Sequence, residues 1–146
     1  MVVLKLKSSD FKDGEMIPTR FTSDGENISP KLKWSEVPPG TESFSLIVED
    51  PEGILGPWRH WVVCNIPKHY REIPENAVPQ ECETLRNSFG KKKYVGPSSP
   101  RKEHKYFFKL FALNTPKLEH LNEVTCCYEI KKHVIDKAEL MVKYRR

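Results

Sequence analysis

Glutamine is almost missing from this chain. Gln80 stands alone among 146 residues that include 24 basic and 20 acidic side chains, a balance also seen in thermophile proteins. Long hydrophobic runs are missing too. Trp61-Val62-Val63-Cys64 and Tyr106-Phe107-Phe108 are typical, far short of the roughly 18 apolar residues of a membrane-spanning helix. Met1 to Lys7 alternates apolar residues with lysine and has no signal-peptide apolar core. No membrane span and no secretion are expected, so the Asn27-Ile28-Ser29 sequon carries no weight. Net charge is only +4, too balanced to argue for a nucleic-acid partner. Lys91-Lys92-Lys93 lacks an aromatic platform and reads as a solvated loop.

Catalytic and metal signatures are equally sparse. Gly53 and Gly56 are too few for a phosphate-cradling loop, and no G-K-[ST] follows them. There is no G-x-S-x-G elbow, and Ser35, Ser98 and Ser99 show no sign of an activated nucleophile. His60, His69, His104, His120 and His133 are far apart in sequence, and the four cysteines form no C-x-x-C. Cys126 and Cys127 are adjacent and do not readily bridge to each other. Free thiols, a cytoplasmic location, no metal, no cofactor and no enzymatic activity are the expectations.

What remains is a chain of one domain, residues 1–146, with 38% hydrophobic and 30% charged residues. A domain of this length buries roughly two-thirds of its unfolded surface and needs no disulfide staple. Twelve prolines are spread along it, which predicts many turns. Val2–Lys7 alternates and reads as a strand. Ser43–Glu49 is a stronger strand, with Phe44, Leu46 and Val48 on one face and Pro51 as its stop. Arg59–Ile66 is another, ended by Pro67, and His104–Leu113 a third, whose aromatic run predicts a sheet covered on both faces. Residues 68–95 read as a long polar surface excursion. From Asn122, a reasonable N-cap, to Ala138 the apolar residues recur with helical spacing, and Leu140–Tyr144 closes the chain as a strand. The expected class is mostly β with one late helix.

Asp50 directly follows one strong strand and His60 lies at the start of the next. If these strands are neighbours, both residues sit at one rim of a sheet, beside Trp58. His104 opens the third strand and shares a face with Tyr106 by the period-two rule. An imidazolium and a phenol both donate hydrogen bonds to an anion, and a nearby aspartate favours the charged imidazole. Taken singly, each of these residues is more often a turn, core or surface residue than a functional one.

Taken together they resemble a known family. Asp50-Pro51-Glu52 with Gly56-Pro57-Trp58-Arg59-His60-Trp61-Val62-Val63-Cys64-Asn65-Ile66-Pro67 is similar to the first signature of the phosphatidylethanolamine-binding protein family. Gly96-Pro97-Ser98-Ser99-Pro100 with His104-Lys105-Tyr106-Phe107-Phe108-Lys109-Leu110 is similar to the second. Asp24-Gly25-Glu26-Asn27-Ile28-Ser29-Pro30, Arg86-Asn87-Ser88-Phe89-Gly90 and the tail from His133 resemble the bacterial and archaeal, Raf-kinase-inhibitor-like branch. The resemblance implies a mostly β fold: a large central antiparallel sheet packed on a smaller sheet, with a helix near the C-terminus.

It also implies an anion pocket at one end of the large sheet, formed here by Asp50, Trp58, His60, Ser99, Pro100, His104 and Tyr106. Small anions or phosphorylated headgroups are the implied partners, and a homodimer is implied by prokaryotic relatives. The chain departs from the family pattern at Glu52-Gly53-Ile54, at Ser99, where proline is usual, and at Lys105, where arginine is usual. Lysine keeps the charge but loses the guanidinium fork. Family members have different roles, so fold does not fix function. A non-enzymatic anion-binding module is the leading expectation. The alternatives are an inhibitor of serine proteases, carboxypeptidases or kinases, and an enzyme with His60 or His104 as general base.

Overall fold

A computed structural model describes residues 3–53, 55–98 and 102–145. Two antiparallel sheets face each other. The small sheet joins β1 (Lys5–Lys7), β2 (Leu32–Ser35) and β5 (Glu72–Ile73), with β2 in the middle. The large sheet contains β3 (Ser43–Asp50), β4 (Trp58–Pro67), β6 (Glu83–Leu85), β7 (His104–Leu113) and β8 (Val134–Tyr144), in the order β6-β4-β3-β7-β8. The helix α1 (Cys126–His133) packs on the outer face of the large sheet.

Strand alternation explains this layering. Phe44, Leu46 and Val48 of β3, Trp61 and Val63 of β4, and Phe108, Leu110 and Ala112 of β7 point into the sandwich. There they meet Leu6, Leu32 and Trp34 of the small sheet. The intervening Ile47, Val62 and Cys64 point the other way and pack with Cys126 and Ile130 of α1. β3 and β4 are therefore covered on both faces. β7 is fully buried only on its sandwich face, and Phe107, Lys109 and Phe111 on the outer face are half-buried. Each large aliphatic or aromatic side chain buried this way contributes about 1.5–3 kcal/mol of hydrophobic stabilisation.

The expected helix to Ala138 is corrected. It ends at His133, and Val134 adopts an extended conformation (φ −68°, ψ 132°). From Val134 onward the chain pairs with β7, from Leu113↔Val134 to His104↔Tyr144. A long ladder that buries Ala138, Leu140, Val142 and Tyr144 outweighs a helical spacing that Val134 and Ile135 also satisfy. Asn122 is not the N-cap of α1, a position taken by Thr125. Instead its Oδ1 accepts the backbone N–H groups of Val124 (2.8 Å) and Thr125 (2.9 Å) in the turn before the helix.

The excursion 68–95 is also corrected. It contributes β5 and β6, and it buries Asn87 and Tyr94. No helix among the described residues is long and apolar enough to cross a membrane.

Candidate functional site

Both the β3–β4 and the β3–β7 pairings are antiparallel, so the end of β3 and the starts of β4 and β7 lie at one rim. On the sandwich face the apolar run of β3 stops at Val48, and the next residue on that face is Asp50. On β7 the same face runs outward from Phe108 to Tyr106 to His104. The rim is where the sandwich interior turns polar.

β4 reaches this rim through a β-bulge. Val48 pairs with Trp61 and Glu49 with Arg59, so His60 is an extra residue with no partner on β3. A bulge re-aims side chains by one position. Trp58 therefore lies opposite Asp50, and Arg59 opposite Glu49 on the outer face. Asp50, Trp58, His60, His104 and Tyr106 line one cavity of about 490 Å³, together with Glu52, Gly53, Leu55, Phe89 and Ser98.

The two imidazoles are held differently. His104 Nδ1 lies 2.7 Å from Asp50 Oδ2. A carboxylate can only accept, so His104 carries its proton on Nδ1. The other oxygen, Asp50 Oδ1, accepts the Glu52 N–H at 2.9 Å and closes the turn after β3. His60 is only 3% exposed, and its Nδ1 donates to the Val95 carbonyl at 2.6 Å. That contact leaves Nε2 as an acceptor while the ring is neutral. Tyr106 and Phe89 each pack edge-on against the His60 ring, with centroids 5.3 Å away. Burial pushes the His60 pKa below its ordinary 6.5, outweighing the Val95 carbonyl, the Asp50 charge and Gly96. The expectation that the aspartate keeps an imidazole cationic therefore does not hold for His60. Asp50 spends its hydrogen bond on His104, and desolvation decides the charge of His60.

The scaffold behind His60 comes from residues that the pattern of charges did not single out. Asn87 Nδ2 donates to the His60 carbonyl (3.1 Å) and to the Lys93 carbonyl (2.8 Å). Asn87 Oδ1 accepts from Phe89 N–H and Lys91 N–H. One buried amide thus fixes both the bulge and the loop that presents Phe89. Val95 is held in place by its neighbour Gly96, where a Cβ would sit 2.1 Å from the Phe21 carbonyl oxygen and 2.8 Å from Thr22 Cα. Gly96 N–H also donates to Asn27 Oδ1 at 2.7 Å. The Asn87–Gly90 turn and the Gly96-Pro97 step were the available sequence signals. Ser99 and Pro100, also expected in the pocket, lie outside the described residues, as does Ile54.

Asp50, Glu52 and His104 each offer one ligand atom, all within 4.8 Å of one another. Distant positions in sequence therefore meet at metal-ligand spacing, which the histidine spacing alone did not reveal. Both Asp50 oxygens are already engaged, by His104 and by the Glu52 N–H. A cation held by His104 Nδ1 would have to displace its contact with Asp50. The mouth of the cavity is apolar, with Leu55 97% exposed and Trp58 stacked edge-on to Phe89 (5.7 Å between centroids). The arrangement can seat a small polar group at its floor beneath an apolar rim.

Residues 7–145 match the family described as phosphatidylethanolamine-binding protein. A UPF0098 protein of Methanothermobacter thermautotrophicus is 38% identical over an alignment of 150 positions, which covers 98% of this chain and 99% of that one. A UPF0098 protein of Aquifex aeolicus is 43% identical over 122 residues, 80% of this chain and 71% of the relative. The crystal structure of Escherichia coli YbcL, described as a new member of the mammalian PEBP family, superposes with a TM-score of 0.92. It is 32% identical, and the match covers 98% of each chain. The Chlamydia trachomatis homologue CT736 gives a TM-score of 0.91 at 30% identity, covering 100% of this chain and 99% of that one.

Proposed function

Because the chain belongs to the phosphatidylethanolamine-binding protein family, we propose that the rim cavity is a non-enzymatic binding site for a small anion of the phosphate or phospho-headgroup class. One observation carries this reading: three adjacent strands bring Asp50, His60, His104 and Tyr106 into a single cavity. Asp50 fixes the His104 ring by accepting its Nδ1 proton, which directs Nε2 away from the carboxylate. Val95 does the same for His60. Trp58, Phe89 and Leu55 supply apolar walls for whatever is attached to the anion.

His60 gives the site its chemistry. Desolvation disfavours its imidazolium form. An entering anion supplies the missing opposite charge and favours the imidazolium, whose Nε2–H then donates to it. Anion binding therefore takes up a proton, and affinity falls as pH rises from the lowered pKa of free His60 to the higher pKa of the bound form.

NMR titration of the imidazole signals with inorganic phosphate and with glycerophosphoethanolamine tests this, with His60→Ala and His104→Ala assigning the peaks. Both signals are expected to move saturably, and the His60 pKa to rise on binding. The diester keeps its phosphate charge across the range. Its affinity is expected to fall by up to about tenfold per pH unit between the free and bound His60 pKa values. If neither signal moves at millimolar ligand, the anion reading is wrong. The exposed Leu55 loop then becomes the surface to test for inhibition of proteases and kinases. Turnover of a phosphate ester that disappears in His60→Ala would replace binding with catalysis.

A further inference from the structure

The bulge that turns His60 into the cavity sends Arg59 to the outer face, towards α1. There the guanidinium meets two sulfurs: Nη2 lies 2.6 Å from Cys127 Sγ, and Nη1 lies 3.4 Å from Cys126 Sγ. Among the described residues, no carboxylate lies within 4.0 Å of the Arg59 nitrogens. Glu49, its cross-strand neighbour, pairs instead with Lys109 at 3.5 Å. A guanidinium always carries its charge and can only donate hydrogen bonds. A half-buried one without a carboxylate partner calls for another anion. The sulfur in closest contact is the group that can become one.

We propose that Cys127 is a modification site, a thiolate nucleophile paired with Arg59 that undergoes exchange with low-molecular-weight disulfides. The Cys127 thiolate attacks one sulfur of the disulfide RSSR. The RS–SR bond breaks, its electron pair leaves as RS⁻, and a Cys127–SR bond forms. Cys127 is oxidised, the departing sulfur is reduced, and no further reagent is required. Cys126 does not resolve the product, because adjacent trans-linked Cα atoms are about 3.8 Å apart, below the usual disulfide span. The adduct removes the charge that Arg59 pairs with.

The surroundings agree. The neighbouring Cys126 thiol, then the Arg59 and Lys131 charges, hold the Cys127 pKa down to about 6, against the opposing effects of burial and Glu49. The adjacent Cys127 thiol and burial push Cys126 up. Burial raises Cys64, beneath the helix, to about 11, and raises Cys82 to about 12. One of four thiols is singled out, and Cys82 serves as an internal control that is likewise half-buried. The site is also wired to the cavity. Arg59 N–H donates to Ser88 Oγ (2.8 Å), and Ser88 N–H donates to the Arg59 carbonyl (2.9 Å), next to Phe89 of the pocket wall.

Iodoacetamide labelling of the intact protein across pH 5–10, with peptide mapping by mass spectrometry, tests this independently of ligand binding. Cys127 is expected to label with a midpoint near pH 6 and at least tenfold faster than Cys82 at pH 6.5. With glutathione disulfide as probe, the mixed disulfide is expected at Cys127. Arg59→Gln should move the midpoint up towards the ordinary thiol value of about 8.5. A wild-type midpoint of 8 or above, or labelling no faster than Cys82, overturns the proposal whatever the variant does. Should Arg59→Gln fail to fold, Arg59→Lys takes its place, keeping the charge with one donor centre and giving an intermediate midpoint. An unchanged midpoint in a folded variant removes Arg59 from the site.

Discussion

At the rim of the large sheet, one pair of strands holds charge in opposite ways on its two faces. On the sandwich face, Asp50 is bound to His104 and the buried His60 sits against a carbonyl with its proton affinity lowered. On the outer face, Glu49 is bound to Lys109 and Arg59 sits against two thiols, one of which has its acidity raised. Each face has one satisfied acid–base pair and one cation-capable group left over. What differs is whether that group can give up its proton. Imidazole can, so burial neutralises it. Guanidinium cannot, so its charge joins the Cys126 thiol in favouring ionisation of the neighbouring Cys127. A single bulged residue decides which group faces which environment, because it sets Arg59 and His60 on opposite sides.

The largest test breaks the sandwich-face side of this contrast. Gly96→Ala would drive a Cβ into the Phe21 carbonyl and Thr22 Cα, both of them backbone atoms that cannot swing aside. The segment that carries Val95 must then shift, and His60 loses its carbonyl partner. A loss of about 3 kcal/mol in urea unfolding is expected, at the upper end of overpacking effects. The His60 NMR signal should move in the folded fraction, while the Cys127 labelling midpoint stays in place. A stable variant with an unmoved His60 signal would show that Gly96 does not brace the pocket.

How much of this was legible in the sequence follows from the range of the interactions involved. Three of the four long strands appear within a residue or so of their limits, since alternation and Pro51 are local signals. Asp50, Trp58, His60, His104 and Tyr106 share a rim for the same reason, once the strands are known to be neighbours. The pairing within the rim was not legible. That Asp50 takes His104 rather than His60 depends on register and on the bulge, neither of which has a one-residue signature. Arg59 reaches Cys126 and Cys127 across more than 60 positions of sequence, and only tertiary packing brings them together. The helix limit failed for a related reason: Val134 and Ala138 fit both periods, and the ladder with β7 chose between them.

The next effect sharpens the contrast through pH. The folded-state pKa of His60 lies below its unfolded value of about 6.5, so the unfolded chain binds more protons between the two. The stability contributed by neutral His60 is complete above pH 6.5 and is lost as pH falls towards the folded pKa. Its slope cannot exceed about 1.4 kcal/mol per pH unit for one proton. In the anion-free protein, His60→Gln should flatten this part of the urea-stability profile between pH 7 and pH 5. Wild-type and variant curves that run parallel would mean that His60 is protonated equally easily in both states.

The smallest effect tests whether the outer face obeys the same logic in reverse. Glu49 opposes the ionisation of Cys127, yet its charge is largely taken up by Lys109 at 3.5 Å. Glu49→Gln removes that opposition and leaves Lys109 with Glu139, 3.9 Å away. The Cys127 labelling midpoint should therefore fall by only a few tenths of a pH unit, since a paired and partly screened carboxylate acts weakly at longer range. A drop of a full unit would mean that Lys109 does not neutralise Glu49 and that the thiolate forms against a strong opposing charge. A rise would mean that Glu49 helps to hold Arg59 in place. Charge repulsion across the sheet would then matter less than the position of the guanidinium.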